Sequence, residues 1–145
     1  MKTEIRSEPF DPWQEVCEYQ QTLPTIVGKY GATAVFVGTM RDFNQGDPVL
    51  SMTLEHYPGM TQNYLQDIGL QAKQRWELLD ILIIHRTGQV YPSESIVLVA
   101  VWSAHRAAAY EANCYIMEYL KSKAPFWKKE ELPQGSRWVE QNTPG

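Results

Sequence analysis

The chain has 145 residues, 43% hydrophobic and 21% charged, a composition that suits one globular domain spanning 1–145 and is too apolar for a disordered chain. Thirteen lysines and arginines against 17 aspartates and glutamates leave a net charge of −4, the wrong sign for a protein that works by wrapping nucleic acid. Apolar runs such as 81–84 and 96–102 fall far short of the roughly 20 residues that cross a bilayer, and the opening Met-Lys-Thr-Glu-Ile-Arg lacks the apolar core of a secretory signal, so a cytoplasmic protein is expected, with neither membrane nor nucleic acid as partner.

Asp11-Pro12 supplies a cap and a first-turn proline, and 13–21 is predicted to be a short amphipathic helix. Residues 31–38 carry the β-branched and aromatic enrichment of a buried strand, and the polar Asn44-Gln45-Gly46-Asp47-Pro48 turns the chain before a second strand over 50–57. Past the break at Pro58-Gly59, the spacing of Tyr64, Leu65, Ile68, Ala72 and Trp76 predicts a helix over 61–76. The apolar stretches 78–85 and 95–103 read as two central strands. Ser103 is placed to cap a long helix from 104 to about 123, which Pro125 ends, and a last short strand is expected around 137–140. Strands interleaved with helices make the fold α/β or α+β on a mixed sheet.

Cys17 and Cys114 have no CxxC or Cys/His spacing around them and read as buried free thiols. His56, His85 and His105 have no metal-ligand spacing, so structural hydrogen bonding is favoured over a metal site. Trp76, Trp102, Trp127 and Trp138 read as core or interface fillers. Dinucleotide, nucleoside triphosphate, serine-hydrolase and zincin motifs are all absent.

The strongest local signal for chemistry is 119–129, where Lys121, Lys123, Lys128 and Lys129 gather around Pro125-Phe126-Trp127 without an intervening acid. Clustered, partly desolvated lysines lower one another's pKa, which suits a base or an amine nucleophile; a cationic helix end matched to the macrodipole accounts for the same residues. His105-Arg106, at the start of the same helix, meets free backbone N–H groups that favour an anion, although a surface arginine and a capping histidine would look alike. Arg41 follows a strand end and precedes a polar loop, from where a guanidinium can reach a ligand.

Four motifs in register carry a resemblance. Leu54-Glu55-His56-Tyr57-Pro58-Gly59-Met60, His85-Arg86-Thr87-Gly88, Ser103-Ala104-His105-Arg106, and Leu120-Lys121 with Ala124-Pro125-Phe126-Trp127-Lys128 together resemble the large subunit of molybdopterin synthase, from about Pro9 to Glu140. The resemblance implies an α/β hammerhead-type fold and a homodimer of large subunits within a heterotetramer. Each large subunit would receive the Gly-Gly thiocarboxylate tail of a ubiquitin-like small subunit. It implies sulfur transfer to cyclic pyranopterin monophosphate with no cofactor. Carried over by position, Lys121 matches the catalytic lysine and Lys128 a second lysine of the same pocket. Thr39, Met40, Arg41, His105, Arg106, Lys129 and Glu130 match substrate-contacting positions, and Met117 should line the pocket wall. The chain departs from family habit at Gln89, often Glu, and Ser93, often Gly, and a longer C-terminal tail found in relatives is expected to be missing.

Helical geometry adds an expectation about assembly. Arg106 and Lys121 lie on one helix face but roughly 22 Å apart at about 1.5 Å per residue, too far for one small pterin. A two-fold axis crossing that face would bring His105 and Arg106 of one subunit to Lys121 of the other. Two other readings share some of these features: a scaffold that only binds a tail through Phe126 and Trp127, and a small nucleic-acid binder using 121–129, which the acidic balance opposes.

Overall fold

In the computed structural model, which describes residues 1–123 and 125–139, ten strands and three α-helices follow one another in mixed order among the described residues. They are β1 (Lys2–Arg6), α1 (Pro12–Gln21), β2 (Ala32–Thr39), β3 (Phe43–Asn44), β4 (Asp47–Pro48), β5 (Ser51–His56), α2 (Met60–Arg75), β6 (Asp80–Arg86), β7 (Gly88–Val90), β8 (Ser95–Ser103), α3 (Arg106–Lys123), β9 (Phe126–Leu132) and β10 (Gly135–Trp138). The fold is mixed α/β, as the sequence predicts.

One four-stranded sheet runs β1-β6-β8-β2, with β1 parallel to β6 and the other pairs antiparallel. Its two central strands are the apolar stretches expected at the centre, and their alternation sorts the core into two layers. Ile81, Ile83, Val97, Val99 and Val101 face α2 and α3. Leu82, Ile84, Leu98, Ala100 and Trp102 face the opposite side, where Val16 and Tyr19 of α1 pack. Both faces are covered, which is why these strands are continuously apolar instead of alternating with polar residues.

The helices follow from local chemistry. Asp11 caps α1, its carboxylate accepting from the Trp13 and Gln14 amides at 3.0 and 3.3 Å. On α3 the buried residues Ala109, Ala112, Asn113, Ile116, Met117 and Leu120 form one stripe at helical period. Asn113 sits in that stripe without an unpaired amide, because its Nδ2 donates to the carbonyls of Ala34 and Val99, both at 3.0 Å. Ser103 accepts from the His105 amide at 3.4 Å, so the helix starts two residues later than expected.

The second four-stranded sheet, β10-β9-β5-β7, is wholly antiparallel, and β3 and β4 form a separate two-stranded ribbon. The two strands expected on either side of the polar loop therefore belong to different sheets. Its inner face buries Met52, Leu54 and Val90 with Met40 and Val49. One expectation is corrected. Cys17 and Cys114 are exposed, each on the outward side of its amphipathic helix, where burial of the neighbouring apolar stripe does not require them. Of the tryptophans expected to fill the core or an interface, Trp102 is fully buried, and Trp127 and Trp138 are exposed and lie outside the core. The last strand begins earlier than expected, at Gly135, and Ala124 and Glu140 lie outside the described residues.

Candidate functional site

Two recesses open where the end of β2, the start of β8, the end of α3 and the inner face of the second sheet converge. Strand register explains which side chains reach them. In β9, Lys128 pairs with Leu54 and Glu130 with Met52, while Trp127 pairs with Glu55 and Lys129 with Thr53. Residues opposite one another share a face, so Lys128 and Glu130 point with Leu54 and Met52 toward the core, and Trp127 and Lys129 point away. A register shift between Gly38 and Thr39 marks a bulge at the end of β2, a device that re-aims the following side chains.

The smaller recess, about 110 Å³, is lined by Met40, Arg41, Asn44, Lys121, Lys128 and Glu130 among others. Three cations against one carboxylate make it a place for an anion. The larger, about 320 Å³, is walled by Phe36, Met117, Leu120 and Phe126, with His85 among its polar groups. Thr39, Lys121 and Lys128 line both recesses and stand at their junction.

The two lysines touch. Burial pushes the Lys128 amine down to about 8, and the charge of Lys121 and a side-chain hydrogen bond to Lys121 push the same way, against the pull of Glu130. Lys128 is therefore half neutral near pH 8, where an isolated lysine would be charged. His85, stacked on Phe126 with centroids 3.8 Å apart, is pushed down to about 4 by burial, with lesser contributions from Lys128 and Lys121 opposing its bond to the Arg86 carbonyl. Its Nδ1 lies 2.8 Å from that carbonyl oxygen, which puts the ring proton on Nδ1 and leaves Nε2 as an acceptor.

Of the residues singled out in the sequence, Thr39, Met40, Arg41, Met117, Lys121, Lys128 and Glu130 meet at these recesses. Lys129 does not: it lies on the outer face of β9 with its Nζ 5.8 Å from the Trp138 ring centroid. His105 and Arg106 line neither recess and sit at the far end of α3, one just before it and one at its first residue. Phe43 and Asn44 of the ribbon, and His85 as a recess wall, were not anticipated. A polar loop and a buried strand end carry no periodic signal for where their side chains converge.

Fold and site define a mixed α/β protein with a cationic recess and an apolar one that meet at a lysine pair. The MoaE protein family matches residues 5–123. A molybdopterin synthase catalytic subunit from Haemophilus influenzae is 56% identical over 136 residues, 94% of this chain and 87% of that one. Another, from Ralstonia nicotianae, is 50% identical over 136 residues, 94% of this chain and 75% of that one. The crystal structure of molybdopterin synthase from Staphylococcus aureus aligns with a TM-score of 0.84 at 36% identity, covering 95% of this chain and 96% of that one. The chain belongs to the MoaE family.

Proposed function

We propose that this chain is the catalytic subunit of a molybdopterin synthase, a cytoplasmic sulfurtransferase of molybdenum cofactor biosynthesis. It works as a homodimer with a ubiquitin-like small subunit on each half. The sulfur donor is the small subunit's C-terminal Gly-Gly thiocarboxylate, and the acceptor is cyclic pyranopterin monophosphate, which leaves carrying a dithiolene. The observation that carries this reading is the Lys121 and Lys128 pair at the junction of a cationic recess and an apolar one.

Each recess suits one reactant. The thin tail enters the larger, along Met117 and Phe126, and the phosphorylated pterin occupies the smaller, its phosphate met by Arg41 and by His105 and Arg106 of a second copy. Thr39 borders both recesses and Met40 the smaller one. The thiocarboxylate sulfur is itself the nucleophile, so no cysteine is needed at the junction, and neither Cys17 nor Cys114 lines a recess. In each of two sulfur transfers a carbon–sulfur bond replaces a carbon–oxygen bond of the pterin, whose oxygen leaves protonated, and the acyl–sulfur bond breaks as the acyl group passes to water or transiently to the Lys121 amine. The lysine pair carries the protons and stabilises the oxyanion at the tail's carbonyl.

Incubation with cyclic pyranopterin monophosphate and a thiocarboxylated small subunit tests this, with dithiolene as the readout. The wild-type protein should form product. Lys121→Ala should form none while still binding the small subunit. A wild-type complex that forms but never turns over would end the sulfurtransferase reading in favour of a scaffold that only grips the tail.

A further inference from the structure

Phe43 and Asn44 reach the smaller recess from a ribbon with little support of its own, and Arg41, two residues before it, lays its guanidinium 4.7 Å from the Phe43 ring centroid. Strands β3 and β4 pair only with each other, Phe43 with Pro48 and Asn44 with Asp47. They are joined through Gln45 and Gly46 at φ 52° and 81°, the positive-φ pair of a tight hairpin turn. Two backbone bonds anchor its return limb, Val49 N–H to Asp42 O at 2.9 Å and Leu50 N–H to Glu131 O at 2.8 Å. Met40 is fixed to the turn before β8, its N–H donating to Glu94 O at 2.9 Å and its carbonyl accepting from Ser93 N–H at 2.8 Å, but an isolated two-stranded hairpin is marginal in water, so something else must hold the hairpin on which the Arg41 guanidinium packs.

Arg137 of β10 spans the gap. Its Nε donates to Glu130 Oε1 at 2.9 Å, its Nη1 to Asp47 Oδ2 at 2.9 Å and its Nη2 to the Asn44 carbonyl at 3.0 Å. Asn44 closes the loop by donating from Nδ2 to Glu130 Oε2 at 3.1 Å. Both oxygens of Glu130, a carboxylate only 5% exposed, are thereby engaged within the protein. A carboxylate bonded in this way is a strut and not a contact for a phosphate, and the planar fork of arginine suits three acceptors at once where lysine could not hold the same geometry.

We infer that Arg137 is a positioning residue: its guanidinium latches the β3–β4 hairpin to buried Glu130 and so keeps Arg41 in the wall of the anion recess. The inference rests on the proposed assignment of the smaller recess to the phosphate of the pterin. It predicts a division of effects, because the larger recess takes none of its wall from the ribbon.

Arg137→Gln and Asp47→Ala both release the hairpin, and Asp47→Ala leaves the buried Glu130 pair with Arg137 intact, so folding is preserved. Amide hydrogen exchange across 42–49 should speed up in both. In the reconstituted synthase the KM for the pterin should rise about tenfold, the loss of one charge-assisted contact, with the KM for the thiocarboxylated small subunit unchanged. Arg137→Lys should recover part of the loss, and Asp47→Ala should add little in an Arg41→Ala background, since both act on one contact. Unchanged exchange across 42–49 would overturn the latch. So would faster exchange with an unaltered pterin KM, or an equal rise in both KM values. Exchange is read without turnover, and wild-type turnover is scored separately, so failure of the latch and failure of the sulfurtransferase reading are distinguishable.

Discussion

His85 and Lys128 are the two groups whose ionisation the fold alters most usefully, and they do so in different windows. The folded His85 imidazole takes a proton only near pH 4, while in the unfolded chain it does so near its ordinary value of about 6.5. Between those values the unfolded state binds more protons, so the stability His85 contributes is complete above about pH 6.5 and is lost as pH falls toward 4. At pH 5 the loss relative to pH 7 is about 2 kcal/mol. Urea unfolding at both pH values should show that difference in the wild type and a smaller one in His85→Asn, which keeps a donor for the Arg86 carbonyl; equal pH dependence in the two proteins would sink the assignment. Lys128 owes its lowered pKa first to burial and then to Lys121. Lys121→Met removes the second cause and leaves the first. The Lys128 midpoint, followed by NMR of its side-chain carbon, should therefore move up from about 8 without regaining the ordinary lysine value, and a midpoint that stays put would mean the two amines do not communicate.

The elements that place the site are held by backbone constraints that single substitutions can test. Gly31 donates its amide to the Ser103 carbonyl at 3.0 Å, and a Cβ there would sit 2.3 Å from the Ala104 carbonyl oxygen. Backbone cannot step aside as a side chain tip can, so Gly31→Ala should cost about 2 to 3 kcal/mol in chemical denaturation. Ser93 is the converse. It holds φ at 73° in the turn between β7 and β8, a conformation that glycine adopts without strain, so Ser93→Gly should raise stability by about 1 kcal/mol; a loss would show that the serine side chain repays its strain. The same elements show what the sequence discloses. The buried strands β6 and β8 and the helices α2 and α3 were legible because apolar residues repeat at strand or helix period, to within two residues at each end. Strands β1 and β9 were not. Phe126-Trp127-Lys128-Lys129-Glu130-Glu131-Leu132 is too charged to look like a strand, and only its pairing with β5 shows that alternate charges face a recess. That single missed element is why Lys128 and Glu130 could be assigned to the pocket by resemblance while Lys129 was assigned with them and stands outside it.

At the scale of the whole molecule, the substrate-contacting residues that the resemblance implies do not meet within one chain. The lysine pair lies at the C-terminal end of α3, and His105 and Arg106 lie at its start, roughly 22 Å away along a continuous helix. No rotamer change closes such a gap, so if His105 and Arg106 bind the same pterin they must come from a second copy. Mixing subunits tests this directly. Lys121→Ala and Arg106→Ala proteins are each unfolded together with wild-type partners absent, refolded in equal amounts to randomise the dimers, and assayed for dithiolene formation. In a shared pocket, the mixed dimer has one pocket with both substitutions and one with neither, and mixed dimers are half the population. Activity should therefore return to about a quarter of wild type from parents that are each severely impaired. If every pocket draws Lys121 and Arg106 from one chain, each pocket in the mixture keeps one lesion and activity stays at the parental level. Recovery would make the dimer a catalytic requirement, since each subunit would then complete the phosphate site of its neighbour.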